Sequence, residues 1–357
     1  MKIYVVYIII SLIIGCAIAV NDVAIRSPIL EVIDGVDYNI DAVSFPGLFL
    51  NENTNLGNEN LKIEITEGNR LAEDRGVVYE ATTQHEEFEY NGWGGFDYIG
   101  FQGEKYFAGF SDDTYFDSQI KRKSLIDLGY ISKILINTKE DYLMTPEDPL
   151  EIEEGYELRL ISADDKGIYV SLYKEGKEKD GQKVDIADGS GSTYLYKYEY
   201  VDNKKFVTIA IHFRNHFSSG DGGAWCDGIF QIADNFEDLE QRIGEMTSRT
   251  ANKNQIIMKN DENIELTENK DINFMGKFWI KTADKDDSDA NPLKFCVYRR
   301  EDEPGTYEIR SPLALVQNDD YIGSAEGHEY PNLQVGDEVD PRLSFCVNSK
   351  SINSCFF

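Results

Sequence analysis

Two histidines, His212 and His216, stand four residues apart, a spacing that on a helix would let both imidazoles share a metal ion. Their neighbours argue against it. Val207, Ile209, Ile211 and Phe213 recur at every second position, which describes a strand, and no HExxH glutamate accompanies the pair. The run DKDDSDAN at 284–291 gathers Asp284, Asp286, Asp287 and Asp289, oxygen ligands of the type calcium prefers. It lacks the EF-hand arrangement, so a solvated acidic loop competes with a calcium site. The loop SSGDGGAWC at 218–226 has the glycines of a catalytic loop without its chemistry: there is no GxSxG elbow and no partner placed by sequence to serve a serine. Paired carboxylates could hydrolyse a glycoside, but with 65 acidic residues some close pair is inevitable and carries little information. No catalytic or cofactor-binding residue emerges, and the chain is not expected to be an enzyme.

The elements that would position such groups are strands. Residues 98–160 alternate short apolar and aromatic runs with charged positions and are cut about every ten residues by Gly, Pro or Asp, the pattern of antiparallel sheet. Tyr156, Leu158 and Leu160 alternate with Glu157 and Arg159. After the turn at 164–167 come Ile168, Val170 and Leu172, so a hairpin with one buried face is expected. Residues 24–33, 43–50 and 61–65 also read as strands. Tyr194, Tyr196, Tyr198 and Tyr200 would place four rings on one strand face, as a ladder over a core or an interface. Trp93, in the glycine-rich turn 91–95, would either stack on a sugar or plug the end of a sandwich. Residues 234–246, with Phe236, Leu239 and Ile243 at helical spacing, are the best candidate for a short helix. The fold class expected is all-β, with two sandwich subdomains of mostly antiparallel strands. A break at Thr145-Pro146 separates the first (20–146) from the second (147–298), with room for the last segments of the second to pack back on the first.

Composition and the two ends narrow the setting. The chain has 357 residues, 41% of them apolar, and a formal charge of −30 spread along its length. Such a surface repels nucleic acid and anionic lipid and favours cations. Lys2, an apolar run over 3–14 and the exit GCAIAVND read as an export signal cleaved after Ala19. Two alternatives stand: a lipoprotein signal ending before Cys16, which would then be lipidated, or an uncleaved anchor. In each case the rest faces outside the cell. Four further cysteines, Cys226, Cys296, Cys346 and Cys355, are too sparse for a disulfide scaffold and lack zinc spacing.

Several blocks in order, SFPGLF (44–49), FAGF (107–110), SLIDLGYISKILIN (124–137), LEIEEGYELRL (150–160), GIYVSLYKEG (167–176), GIFQIAD (228–234) and IELTENKDINFMG (264–276), resemble the S-layer-related duplication domain of methanogen-type archaeal surface proteins. The resemblance spans about residues 25–298. It implies two β-sandwich units per domain, a structural role in the S-layer at the cell surface, and partners that are copies of itself or other S-layer subunits. It also implies tandem copies. Ile25, Arg26, Ser27, Pro28 and Val32 recur as Ile309, Arg310, Ser311, Pro312 and Val316, so residues 299–357 look like the opening of a second copy. Such a tail would be poorly ordered or would pair with another subunit's sheet edge. The resemblance further implies a C-terminal membrane anchor and glycosylation. The ending SKSINSCFF and the lack of any Asn-x-Ser/Thr triplet depart from both, which favours an accessory surface component. The alternative is a secreted carbohydrate-binding or adhesion module using Trp93, Trp225 and the tyrosine strand.

Overall fold

The computed structural model describes residues 23–301, apart from 52–55, 121, 187–190, 202–203 and 284–291, and five short strands beyond residue 306. Cys16 with its leader, and Asp284, Asp286, Asp287 and Asp289, therefore lie outside the described residues. Within them the chain is all-β, as expected. One helix, Tyr115–Gln119, and three 3-10 turns interrupt the strands.

Four sheets carry the architecture. A terminal sheet runs in the order Asp271–Met275, Phe278–Thr282, Lys294–Glu301, Val23–Arg26 and Glu338–Val339, with Leu30–Glu31 beside Lys294–Glu301. It faces a partner sheet of Met246–Asn252, Gln255–Asn260, Val77–Thr82, Glu59–Glu64 and Asp37–Asp41. Leu61, Ile63 and Ile65 point inward from one sheet and Phe278, Ile280 and Val297 from the other, all without exposed surface. Two stretches, 23–82 and 246–301, thus build one sandwich. Each fully buried aliphatic or aromatic side chain there contributes about 1.5–3 kcal/mol.

A nine-stranded long sheet follows the order Ser192–Val201, Lys204–Phe217, Gly223–Ile232, Tyr130–Thr138, Glu104–Phe110, Gly95–Phe101 and Gln84–Glu87, with Tyr142–Met144 and Glu237–Asp238 attached. Tyr130–Thr138 pairs directly with Gly223–Ile232, so this sheet passes without interruption across the break at Thr145-Pro146. A cap sheet of Leu150–Glu151, Tyr156–Ala163, Gly167–Lys174 and Lys177–Asp185 covers one face of its far end. The hairpin read from alternation is the heart of that cap: Leu158 opposes Leu172 and Leu160 opposes Val170, all four buried. Tyr194 is fully buried against it, Tyr196 nearly so and Tyr198 partly, so these three rings serve this core, while the Tyr200 side chain lies outside those described.

On the opposite face of the same long sheet lies an aromatic core. Phe88, Trp93, Phe96, Phe107, Phe110, Phe116, Phe206 and Phe230 interlock, with Phe110 stacked on Phe116 at 4.2 Å between centroids. Trp93 is 1% exposed and its indole N–H donates to Thr193 Oγ1 at 3.0 Å. It plugs an end and has no face to offer a sugar.

Two local expectations fail. Residues 234–246 form no helix: Glu237–Asp238 is a short strand on Tyr130–Thr138, and Gly244 sits at φ +61°. The helical spacing arises because the segment crosses between packing partners. Phe236 meets Tyr130 and Tyr198, while Leu239 and Ile243 pack on the first sandwich. Most of residues 43–50 is turn instead of strand, with only Leu50 starting one. The Asp41 carboxylate accepts from the Val43 and Ser44 amides, and Pro46 then removes a donor that a ladder would need.

Candidate functional site

The polar groups gather where the first sandwich meets the long sheet. Gly95–Phe101 and Glu104–Phe110 form a hairpin whose turn residues, Gln102 and Gly103, both have positive φ (51° and 81°), a type I′ geometry that suits sheet twist. The turn inserts between the terminal and partner sheets. A Cβ on Gly103 would collide with the Gly47 carbonyl and the Arg299 guanidinium, so the approach needs glycine.

Glu59, 2% exposed, receives the turn from the partner sheet. Its carboxylate accepts the Gly103 amide (3.0 Å), the Phe49 amide and the Tyr79 hydroxyl. Burial pushes its pKa up despite those three donors. From the terminal sheet, Lys277 N donates to Gln102 Oε1 (2.7 Å) and Arg299 Nη1 to the Gly103 carbonyl (3.2 Å). Glu104 then takes Lys277 Nζ at 2.8 Å and Lys133 Nζ at 3.0 Å, with Arg299 Nη2 at 3.5 Å. Burial would raise its pKa, but these three cations outweigh it and hold Glu104 at about 2. Both carboxylates are engaged, Glu59 by amide and hydroxyl donors and Glu104 by three cations, so the arrangement acts as a fastener.

A second knot joins the cap sheet to the long sheet. Asp234 Oδ2 accepts from Lys174 Nζ (2.5 Å) and the Tyr156 hydroxyl (2.9 Å), and the Asp234 amide donates to Glu154 Oε2 (3.1 Å). Burial works against the Asp234 charge, yet Lys174 and Tyr156 prevail and lower its pKa. Burial together with the Asp234 charge raises that of Glu154.

The two histidines do not meet over a metal. His212 Nδ1 faces Asp227 Oδ1 at 2.5 Å and its Nε2 faces the Tyr90 hydroxyl at 3.0 Å, while His216 Nε2 lies 2.9 Å from the Asp164 carbonyl. Among the described residues no group of three or more His, Cys, Asp or Glu side chains is placed to hold a metal ion. The loop at 218–222 is a turn with Gly220 and Gly222 at positive φ. Cys226 and Cys296 are buried and unpaired with one another. Trp225 is partly exposed beneath the Arg214 guanidinium, 5.4 Å from its ring centre.

Among the described residues the surface clefts include two. One, of about 620 Å³, lies at the seam between the edge strands Lys177–Asp185 and Ser192–Val201 and includes Lys179, Lys197, Lys205 and Tyr198. The other, of about 500 Å³, is walled by residues 236–243 and by Asn273, Trp279 and Arg300 of the terminal sheet. Sequence reasoning missed Glu59, Glu104 and Trp279. For Glu59 a signal existed, since it shares strand parity with the inward-pointing Leu61, Ile63 and Ile65.

A family model described as S-layer protein matches residues 31–284. The chain is 25% identical to the Major S-layer protein of Methanosarcina mazei over 84% of its own length and 46% of that protein. It is 24% identical to the Major S-layer proteins of Methanosarcina acetivorans and Methanosarcina barkeri over 84% of this chain and 46% and 45% of theirs. The chain thus spans about half the length of the curated relatives it matches. The family match reaches from the first sandwich through the long and cap sheets, and on that ground the chain belongs to the S-layer protein family.

Proposed function

We propose that this chain is a structural unit of a cell-surface layer, working on the outside of the cell by shape and by contact with copies of itself or with larger S-layer subunits. No bond is made or broken in this role. The observation that carries it is the family match over 31–284, which takes in strands of all four sheets. The names of the relatives, each a Major S-layer protein, point the same way. The physics is compatible. Sheets tied together by partly buried ion pairs suit a building block, and a formal charge of −30 gives any assembly an interior that favours cations over polyanions.

The test is assembly itself. Purified protein, alone and mixed with a larger S-layer subunit, is followed by sedimentation and by electron microscopy on a lipid monolayer. Ordered two-dimensional arrays, or incorporation into the larger subunit's array, are expected. A chain that stays monomeric at every concentration and leaves the array unoccupied would sink the proposal.

A further inference from the structure

We propose that the cleft between residues 236–243 and the outer face of the terminal sheet binds a neutral saccharide. The inference goes beyond lattice building and does not depend on it.

Trp279 forms one wall of the cleft. Phe278 and Ile280, on either side of it, face the first core, so strand parity turns the indole outward, where it lines the cleft and is half-buried. It is held there firmly. The Arg300 guanidinium covers the ring at 4.1 Å from its centre, and Arg300 is itself fixed by a 2.8 Å hydrogen bond to the Tyr298 hydroxyl and by Asp271 at 3.5 Å. A planar, immobilised ring at a cleft wall is the surface on which the C–H face of a pyranose stacks at little entropic cost.

Glu237 supplies the polar half. Its backbone is fixed by pairing with Ile131, its side chain is half-buried, and it has no hydrogen-bond or ion-pair partner among the described residues. Its charge nevertheless reaches the buried Tyr106 hydroxyl across the cleft floor and helps keep that phenol protonated. A carboxylate at a cleft wall without donors is an acceptor that vicinal hydroxyls would satisfy. Gln241, exposed on the rim and tied to Asp238 Oδ2 at 3.0 Å, adds an amide group suited to a further hydroxyl.

Other ligand classes fit less well. Glu237 and Asp238 oppose an anion, and the cations that also line the cleft, Arg242, Lys277 and Arg300, are each already paired with a carboxylate, Glu245, Glu104 and Asp271. A metal would need a third carboxylate or imidazole that the cleft does not bring together. A purely apolar ligand would strand the polar lining.

The experiment uses the full chain, titrated by calorimetry and by ligand-observed NMR. The probes are methyl glycosides of glucose, galactose and N-acetylglucosamine, their di- to tetrasaccharides, and glucuronic acid as the anionic comparison. Saturable binding of at least one neutral probe is expected, weakened about tenfold or more by Trp279→Ala and by Glu237→Gln, and unchanged by Trp225→Ala. Should Trp279→Ala fail to fold, Glu237→Gln decides alone. The proposal falls if no neutral probe binds, if glucuronic acid is preferred, or if Glu237→Gln binds as the parent does.

Discussion

The buried Tyr79 hydroxyl donates to the buried Glu59 carboxylate, and the Gln102 and Gly103 amides of an inserted hairpin turn close over the same two side chains at 3.3 and 3.0 Å. One buried pair thereby ties the partner sheet to the long sheet. Tyr79→Phe removes a donor from a buried charged acceptor and should lower unfolding free energy by about 1.5–3 kcal/mol. Urea denaturation at neutral pH checks this, and a change of only a few tenths would mean that the hydroxyl is not needed.

Gly103 is the other half of that fastening. Its φ of 81° and the Gly47 carbonyl against its Cα leave no room for a side chain. Gly103→Ala should therefore cost about 2 kcal/mol or more, through strain and displacement of the turn. Gly220→Ala, also at positive φ but in open space, should cost only the conformational term of about 1 kcal/mol. Thermal melts of the two variants separate the cases: equal losses would remove the close approach from the explanation.

Trp93→Ala should destabilise by about 3–5 kcal/mol, because it empties the end of the aromatic core and leaves Thr193 Oγ1 without its donor. Calorimetric melting shows the loss. A variant that melts like the parent, yet loses saccharide binding, would reverse the reading and return Trp93 to the surface.

Legibility in the sequence followed the range of the interaction. Leu158, Leu160, Val170 and Leu172 advertise their hairpin because alternation and turn lie within twenty residues, and Tyr194 and Tyr196 do so for the same reason. The helix expected over 234–246 fails because Phe236 packs on one core and Leu239 and Ile243 on another along a crossing path, which a periodicity count cannot tell from one helix face. The fastening and the cleft were illegible for a stronger reason. Glu59 and Arg299 are each joined to the Gly103 turn by contacts that span 44 and 196 residues of sequence, and Trp279 shares a cleft with Glu237 only because the chain returns to its first sandwich late in the sequence. No local pattern encodes that return.

The pH response should single out Glu104. Its pKa is held at about 2 in the folded chain against an ordinary value of 4.5, so the carboxylate stabilises the fold fully above 4.5, and the contribution disappears as pH falls from there toward 2. The full difference sets an upper bound of about 3 kcal/mol, and with 27% of the side chain exposed, solvent screening brings it to about 1–2 kcal/mol. Glu59 acts in the opposite sense. Raised by burial, it favours the folded state most at low pH and does so less as pH rises through its folded value. Glu104→Gln should therefore lose about 1–2 kcal/mol at pH 7 and little at pH 2, flattening the acid limb of a stability profile measured by urea denaturation. Because Lys277, Lys133 and Arg299 all converge on this one side chain, the variant should also weaken the seam between sandwich and long sheet. Hydrogen exchange at residues 102–106 should then quicken at pH 7 while the cap sheet stays protected. Unchanged exchange there, together with an acid limb as steep as the parent's, would show that the cation cluster does not act through Glu104.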